Sequence, residues 1–369
     1  MKRRICFGLL AAVAMPLLTG CPNTIGPTAL RGGRQDYNTV LHRTNAEQFL
    51  LNIVRLRYNE PPMFLEVAAV NTTFQLAQNY GATAGLNDRY VSPMNNTFGL
   101  SAGVQFAESP TITYMPMQGE QFVKELLSPV SLNDILLLYQ SGWNLEPVLT
   151  LTLQNMNRQL NAPTACSPTA TEPPEYKGFR RAAFLLGFLQ KKNLIDLAEQ
   201  KTEAGADLIL AFREESDKHP ETAEFKTLMG LDHAPLQDNM VSITTVVKPG
   251  VKILVSTRSV LSSLTFLSKG VCVPPEDVKE GRVVVARQAD GETIFDWREV
   301  MGGFFEVGCG DAGSSGQAVA VDYRGRRFFI RDTDHASKAT FHLLAQLFAL
   351  EAGSVASAAP VLTVPVGGK

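Results

Sequence analysis

The chain has 369 residues, and its 34 basic and 36 acidic side chains leave a formal charge of −2 at pH 7. Its 45% hydrophobic content is that of a globular protein and excludes a disordered chain. No basic block marks a nucleic-acid binder, and the length allows one large domain or two of ordinary size.

Lys2, Arg3 and Arg4 precede an uncharged run from Ile5 to Leu18. At about 14 residues the run fits the apolar part of an export signal and is too short to span a bilayer as a helix. Pro16 also opposes a continuous helix there. Leu18-Thr19-Gly20-Cys21 then resembles the lipobox of bacterial lipoproteins. That resemblance implies a leader at 1–20, diacylglyceryl (palmitate-type) attachment at Cys21, and small residues before it that admit a protease. An ordinary cleaved signal peptide that happens to hold a cysteine is the alternative. Two or more acyl chains make a stable anchor. By the enterobacterial sorting rule, Pro22 in place of Asp implies the outer membrane, with the body facing the periplasm.

Residues 21–36, rich in Pro and Gly, are expected to form a tether, and 37–160 a mainly helical unit with short strands. The pattern predicts a helix over 37–58 with Phe49, Ile53 and Leu56 on one stripe, stopped by Pro61-Pro62. Short strands are expected at 64–67, 97–106 and 111–114, with an exposed Gly/Asn-rich loop at 81–97. Three helices should follow. The first covers 120–127. The second has Ser131 and Asp134 as a capping box and Gly142 just past its end. The third starts with Pro147 at its first position and carries Leu149, Leu153, Met156 and Leu160, although 148–153 also reads as a strand.

Residues 161–175, with four prolines, are expected to be a linker to an α+β unit over 176–350. There the pattern predicts a helix over 176–200, a strand at 206–212 and an exposed charged stretch at 213–238. A hairpin of 241–247 with 251–255 should turn at Lys248-Pro249-Gly250. Next come a helix over 259–269, strands at 282–287 and 304–307, and a hairpin of 318–323 with 326–331 turning at Arg324-Gly325. A last helix over 335–350 has Asp334 as its N-cap, and a loose tail with one short strand fills 351–369. The class is α+β: a mainly helical N-terminal unit, then an antiparallel sheet with packed helices.

LLNIVRLRYNEPPMFLEV, QSGW, FLSKGVCVP and FFIRDTDHASKATFHLLAQLFAL look like segments of uncharacterised lipoproteins from diverse bacteria. The resemblance covers most of the chain beyond the leader and implies no activity.

The chemistry-bearing candidates are few. Beyond Cys6 and Cys21, three cysteines remain. Cys272–Cys309 is the favoured disulfide because both lie in apolar, structured stretches, and three free or buried thiols are the alternative. Asp332, Asp334 and His335 form the densest ligand-like group, able in principle to hold a divalent cation or supply a base, although Asp334 has a simpler task as a helix cap. Residues 308–313 match GxGxxG, but a strand rather than a helix is expected next, so a hairpin loop is the plainer reading. Arg55 and Arg57 suit an anionic group or a braced helix end, and Trp143 and Trp297 a ligand or the core. The histidines are scattered, and neither GxSxG nor SxxK occurs.

Taken together, these features describe an envelope lipoprotein acting as a non-enzymatic structural or interaction component. It would touch the membrane through its lipid and dock an envelope protein, with no nucleic acid and no cofactor. A periplasmic hydrolase or metal-assisted enzyme and a small-ligand or glycan-binding module are the alternatives.

Overall fold

The computed structural model describes residues 25–85, 97–117, 119–167, 171–202, 205–232, 236–247, 249–310, 316–352 and 362–365. The chain divides into two compact units, Met1–Gln48 and Phe49–Lys369. In the first, the described residues are helical and belong to α1 (Ile25–Arg57). The expected tether therefore differs from what is observed, since residues 25–36 are helix. Pro27 lies in the first turn, where a helix has no N–H bond to lose. Gly32 and Gly33 cost about 1 kcal/mol each without forbidding the helix.

In the second unit the last turns of α1 bury Leu50, Ile53 and Val54 completely. Asn52 fixes the chain reversal that follows. Its amide donates to the Met63 carbonyl at 2.7 Å and its Oδ1 accepts from Met63 N–H at 3.0 Å. Asn59, at φ 57°, takes the left-handed conformation that ends the helix.

Next comes a long antiparallel ribbon, β1 (Leu65–Gly85) with β2 (Thr97–Pro116), joined at its base by β12 (Leu362–Pro365) along Thr111–Tyr114. Only short strands and a loop at 81–97 were expected here. Glycine and asparagine are depleted in strands, so composition hid a regular alternation. Residues 86–96 lie outside the described part.

The helical trio is present as α2 (Glu120–Leu127), α3 (Leu132–Gln140) and α4 (Leu145–Thr152). Ser131 accepts from Asp134 N–H at 3.1 Å. Asn144 caps α4 by accepting from Glu146 N–H at 3.0 Å, which puts Pro147 third rather than first. The expected stripe through Met156 and Leu160 is broken, because α4 gives way to β3 (Leu153–Met156) and β4 (Gln159–Leu160).

The stretch 161–175 does not separate two sheets. Strands from both sides of it share one six-stranded sheet, β4-β3-β8-β7-β6-β5. Here β5 is Ile195–Thr202, β6 Gly205–Phe212, β7 Met240–Thr244 and β8 Lys252–Thr257. The helix expected over 176–200 is α5 (Lys177–Lys191) followed by β5, with Asn193 at φ 57° making the turn. Buried Ile195 and Leu197 then alternate with exposed Asp196 and Ala198. Within 213–238 lies α6 (Pro220–Met229), opened by Pro220 and closed by Gly230 at φ 69°. The expected hairpin of β7 and β8 is instead a parallel pair, with Ile243 opposite Ile253. On its other edge β8 pairs antiparallel with β3, so it enters the sheet between the two.

After α7 (Val260–Ser268) and the short α8 (Pro275–Lys279), residues 282–287 form no strand; a lone bridge joins Arg287 and Ile294. Beyond α9 (Arg298–Met301), Val307 makes one parallel bridge to Val271 where a strand over 304–307 was expected. A three-stranded antiparallel sheet follows, of β9 (Gly308–Gly310), β10 (Gln317–Tyr323) and β11 (Arg326–Arg331). Its hairpin turns at Arg324-Gly325, where φ values of 50° and 74° give the primed geometry that matches strand twist. The last helix, α10 (His335–Ala352), is capped by Asp334, whose Oδ1 accepts from Ser337 N–H at 3.0 Å. Leu343, Leu344 and Leu347 of α10 are fully buried. The class is α+β.

Candidate functional site

A cavity of about 570 Å³ is walled by the end of α1, the segment after α7 and the loop around α9. That size suits a small organic molecule. The apolar walls include Val271, Val273, Ile294, Phe295 and Trp297. The ionised side chains are Arg57, Lys269, Arg298 and Arg331 against Asp296 and Glu306, so the lining carries an excess of positive charge.

Two of those cations are buried, with Arg57 and Lys269 each 6% exposed. The Arg57 Nη1 donates to the Val284 carbonyl at 3.1 Å, while its Nε is buried without an acceptor. Lys269 Nζ lies 3.5 Å from the Ser167 carbonyl and 5.6 Å from the Trp297 ring centre. No ion pair reaches either among the described residues. Burial pushes the Arg57 guanidinium down to about 10. Burial first, and then the charge of Arg57, push the Lys269 ammonium down to about 8.

The sign of the lysine effect follows from linkage. Unfolded, Lys269 holds its proton up to its ordinary 10.5. Its charge therefore opposes folding below about 8, and that penalty is relieved as pH rises from about 8 towards 10.5. An anion placed between the two cations would offset the same penalty at neutral pH.

The backbone holds this wall closely. Cys272 is disulfide-bonded to Cys309, the pair favoured from sequence, with Cα atoms 5.6 Å apart. Gly270 packs against the main chain of Phe305, where a Cβ would lie 2.3 Å from the carbonyl oxygen. Of the two tryptophans considered as ligand anchors, Trp297 lines the cavity and packs edge-on to Phe295. Trp143 instead donates to Gln346 Oε1 at 2.7 Å and packs edge-on to His342.

The Asp332, Asp334 and His335 group does not come together as a site. Asp332 is paired with Lys338 Nζ at 2.6 Å, and Asp334 is spent on the helix cap and the Ser337 hydroxyl. Among the described residues no group of three His, Cys, Asp or Glu is placed to hold a metal. In the glycine-rich stretch 308–313, the first three residues are β9, residues 311–315 lie outside the described part, and β10 follows. Cys21 and the leader also lie outside the described residues.

Of the arginine pair at the end of α1, Arg57 is buried and Arg55 is not. Tyr58 braces the helix end by donating to Asp277 Oδ2 at 2.6 Å, and Arg282 pairs with the same carboxylate at 2.8 Å. Sequence reasoning missed Lys269 and the cavity. The lysine follows an apolar helix, and nothing local shows that it is buried without an ion-pair partner among the described residues.

Comparison with protein-family models, with curated proteins and with solved structures finds no match for this chain.

Proposed function

We propose that this chain is a lipid-anchored envelope protein, held through Cys21 at the periplasmic face of the outer membrane, whose body is a non-enzymatic receptor for a small organic anion. The leader pattern ending in Leu18-Thr19-Gly20-Cys21 supports the anchor. One observation carries the binding role: Arg57 and Lys269 are both buried and line one cavity, with no carboxylate paired to either among the described residues. A buried cation without a counter-charge is costly, and proteins retain one where a ligand completes it. The aromatic and aliphatic walls select an anion with an apolar body, bearing a carboxylate or phosphate head.

Phenyl phosphate is a suitable probe. Titration calorimetry at pH 7 should detect its binding to the wild-type protein. Arg57→Met keeps the apolar contacts of the side chain but removes the charge, and should abolish binding while leaving the circular-dichroism spectrum intact. Absence of binding to the wild type, or equal binding to the variant, would contradict the proposal. The mass of the amino-terminal peptide from cells reports the anchor separately.

A further inference from the structure

The β1–β2 ribbon is unlike the rest of the chain. From Val67 to Gly85 and from Thr97 to Ala107 there is no Asp, Glu, Lys or Arg. Beyond the register shift between Val67 and Ala69, the pairing sets even-numbered residues opposite even and odd opposite odd, as in Leu76 with Phe106, Tyr80 with Ala102, Asn79 with Gly103 and Gly81 with Ser101. Because a strand has a period of two, each parity occupies one face. The even face of β2 is Phe98, Leu100, Ala102, Val104 and Phe106, and the even face of β1 opposite it is Leu76, Tyr80, Ala82 and Ala84, with Gln78 the exception. The odd face is small or polar throughout, and Asn79, Thr83, Ser101, Gly103 and Gln105 on it are exposed.

Among the described residues, most of each edge of the ribbon carries no strand. Strand β12 covers β2 only along Thr111–Tyr114, and β1 has no strand on its outer side among the described residues. A two-stranded ribbon is at best marginal in water, and long unpaired edges invite pairing with another chain. Dimensions narrow the choice of partner. The alternating, uncharged part of β2 runs for about 11 residues, the length of a bilayer-spanning β-strand tilted about 45°. An apolar face alternating with a small, polar face is the pattern of a membrane barrel, with lipid on one side and water on the other.

We propose that ribbons from several copies of this chain close into one membrane-spanning β-barrel. β1 of each copy pairs antiparallel with β2 of the next, the even face meets lipid and the odd face lines the lumen. Closure fills both edges of every ribbon, and the antiparallel order continues around the ring. The inference is independent of the anion pocket.

The test uses the full lipidated chain, with Cys166→Ser to remove the free thiol, reconstituted in phosphatidylcholine vesicles. Two single-cysteine variants, Val104→Cys and Gly103→Cys, are treated with a charged maleimide, and copy number is read by chemical crosslinking. The proposal expects a closed oligomer, with Gly103→Cys labelled at least tenfold faster than Val104→Cys. Val104→Arg should then prevent insertion, while Gln105→Arg on the lumen face inserts normally and serves as the folding control. Monomers in the vesicles, comparable labelling at both positions, or protection of Val104→Cys equally without lipid would each overturn the proposal. The last outcome would mean that the apolar face is covered by protein.

Discussion

Arg258 and Arg57 are both buried, yet the interior treats them in opposite ways. Arg258 is completely enclosed and almost fully hydrogen-bonded. Its Nη1 reaches the Thr150 carbonyl at 2.8 Å, its Nη2 the Asn161 carbonyl, its Nε the Cys166 sulfur at 3.1 Å, and its plane stacks 3.9 Å from the Phe266 ring centre. Arg57 makes one carbonyl bond and leaves Nε without an acceptor beside a cavity. The first arrangement is a structural clamp. It ties the start of the proline-rich stretch to the six-stranded sheet, which is why that stretch does not divide the body. The second, with an unsatisfied donor at a cavity, is the arrangement on which the proposed anion site rests. Burial alone does not make a cation functional; the difference lies in whether the protein supplies the acceptors.

Substitution at the clamp sharpens this contrast most. Arg258→Met takes the side-chain donor from the buried Asn161 carbonyl and the Cys166 sulfur and empties the space against Phe266, and removing one member of such a network typically costs about 3–5 kcal/mol. Urea denaturation should show that loss, whereas Arg57→Met should cost little or even stabilise the ligand-free protein. Equal losses at the two positions would erase the distinction. A smaller effect is expected from reducing the Cys272–Cys309 bridge. It spans a sequence separation of 37 residues, and opening a loop of that size costs at most about 4 kcal/mol. Because Cys272 lines the cavity, reduction should also weaken anion binding. Unchanged affinity after reduction would show that the wall keeps its shape without the bridge.

Much of the fold was legible wherever local rules decide it. Asp334 before an apolar run, Arg324-Gly325 between alternating strands, and Ser131 three residues before Asp134 each specify their geometry within a few residues. What stayed hidden depends on distant partners. β7 and β8 look like a hairpin because Pro249-Gly250 lies between them, yet β3 claims the other edge of β8. In the ribbon, the alternation of Phe98, Leu100, Val104 and Phe106 marks a strand over 97–106, whereas the end of β1 at 81–85 reads as loop because its glycines are weighed one at a time. At the cavity, the sequence offers Arg55 and Arg57 as a pair suited to an anionic group or to a braced helix end, and only Arg57 is buried at the cavity. Lys269 is not singled out by sequence, because its meaning comes from its burial at the cavity without an ion-pair partner among the described residues.

The most direct test of the central claim is the affinity for sulfate, whose charge is constant in this range, measured between pH 6.5 and 9.5. An anion held by Arg57 and Lys269 favours the protonated lysine, and that proton leaves the free protein at about 8. Affinity should be full below that value and fall roughly tenfold per pH unit above it, until the lysine of the bound state also titrates. Lys269→Gln should bind weakly with no such dependence. Sulfate binding that is indifferent to pH, or equal in the variant, would contradict the assignment of this pocket.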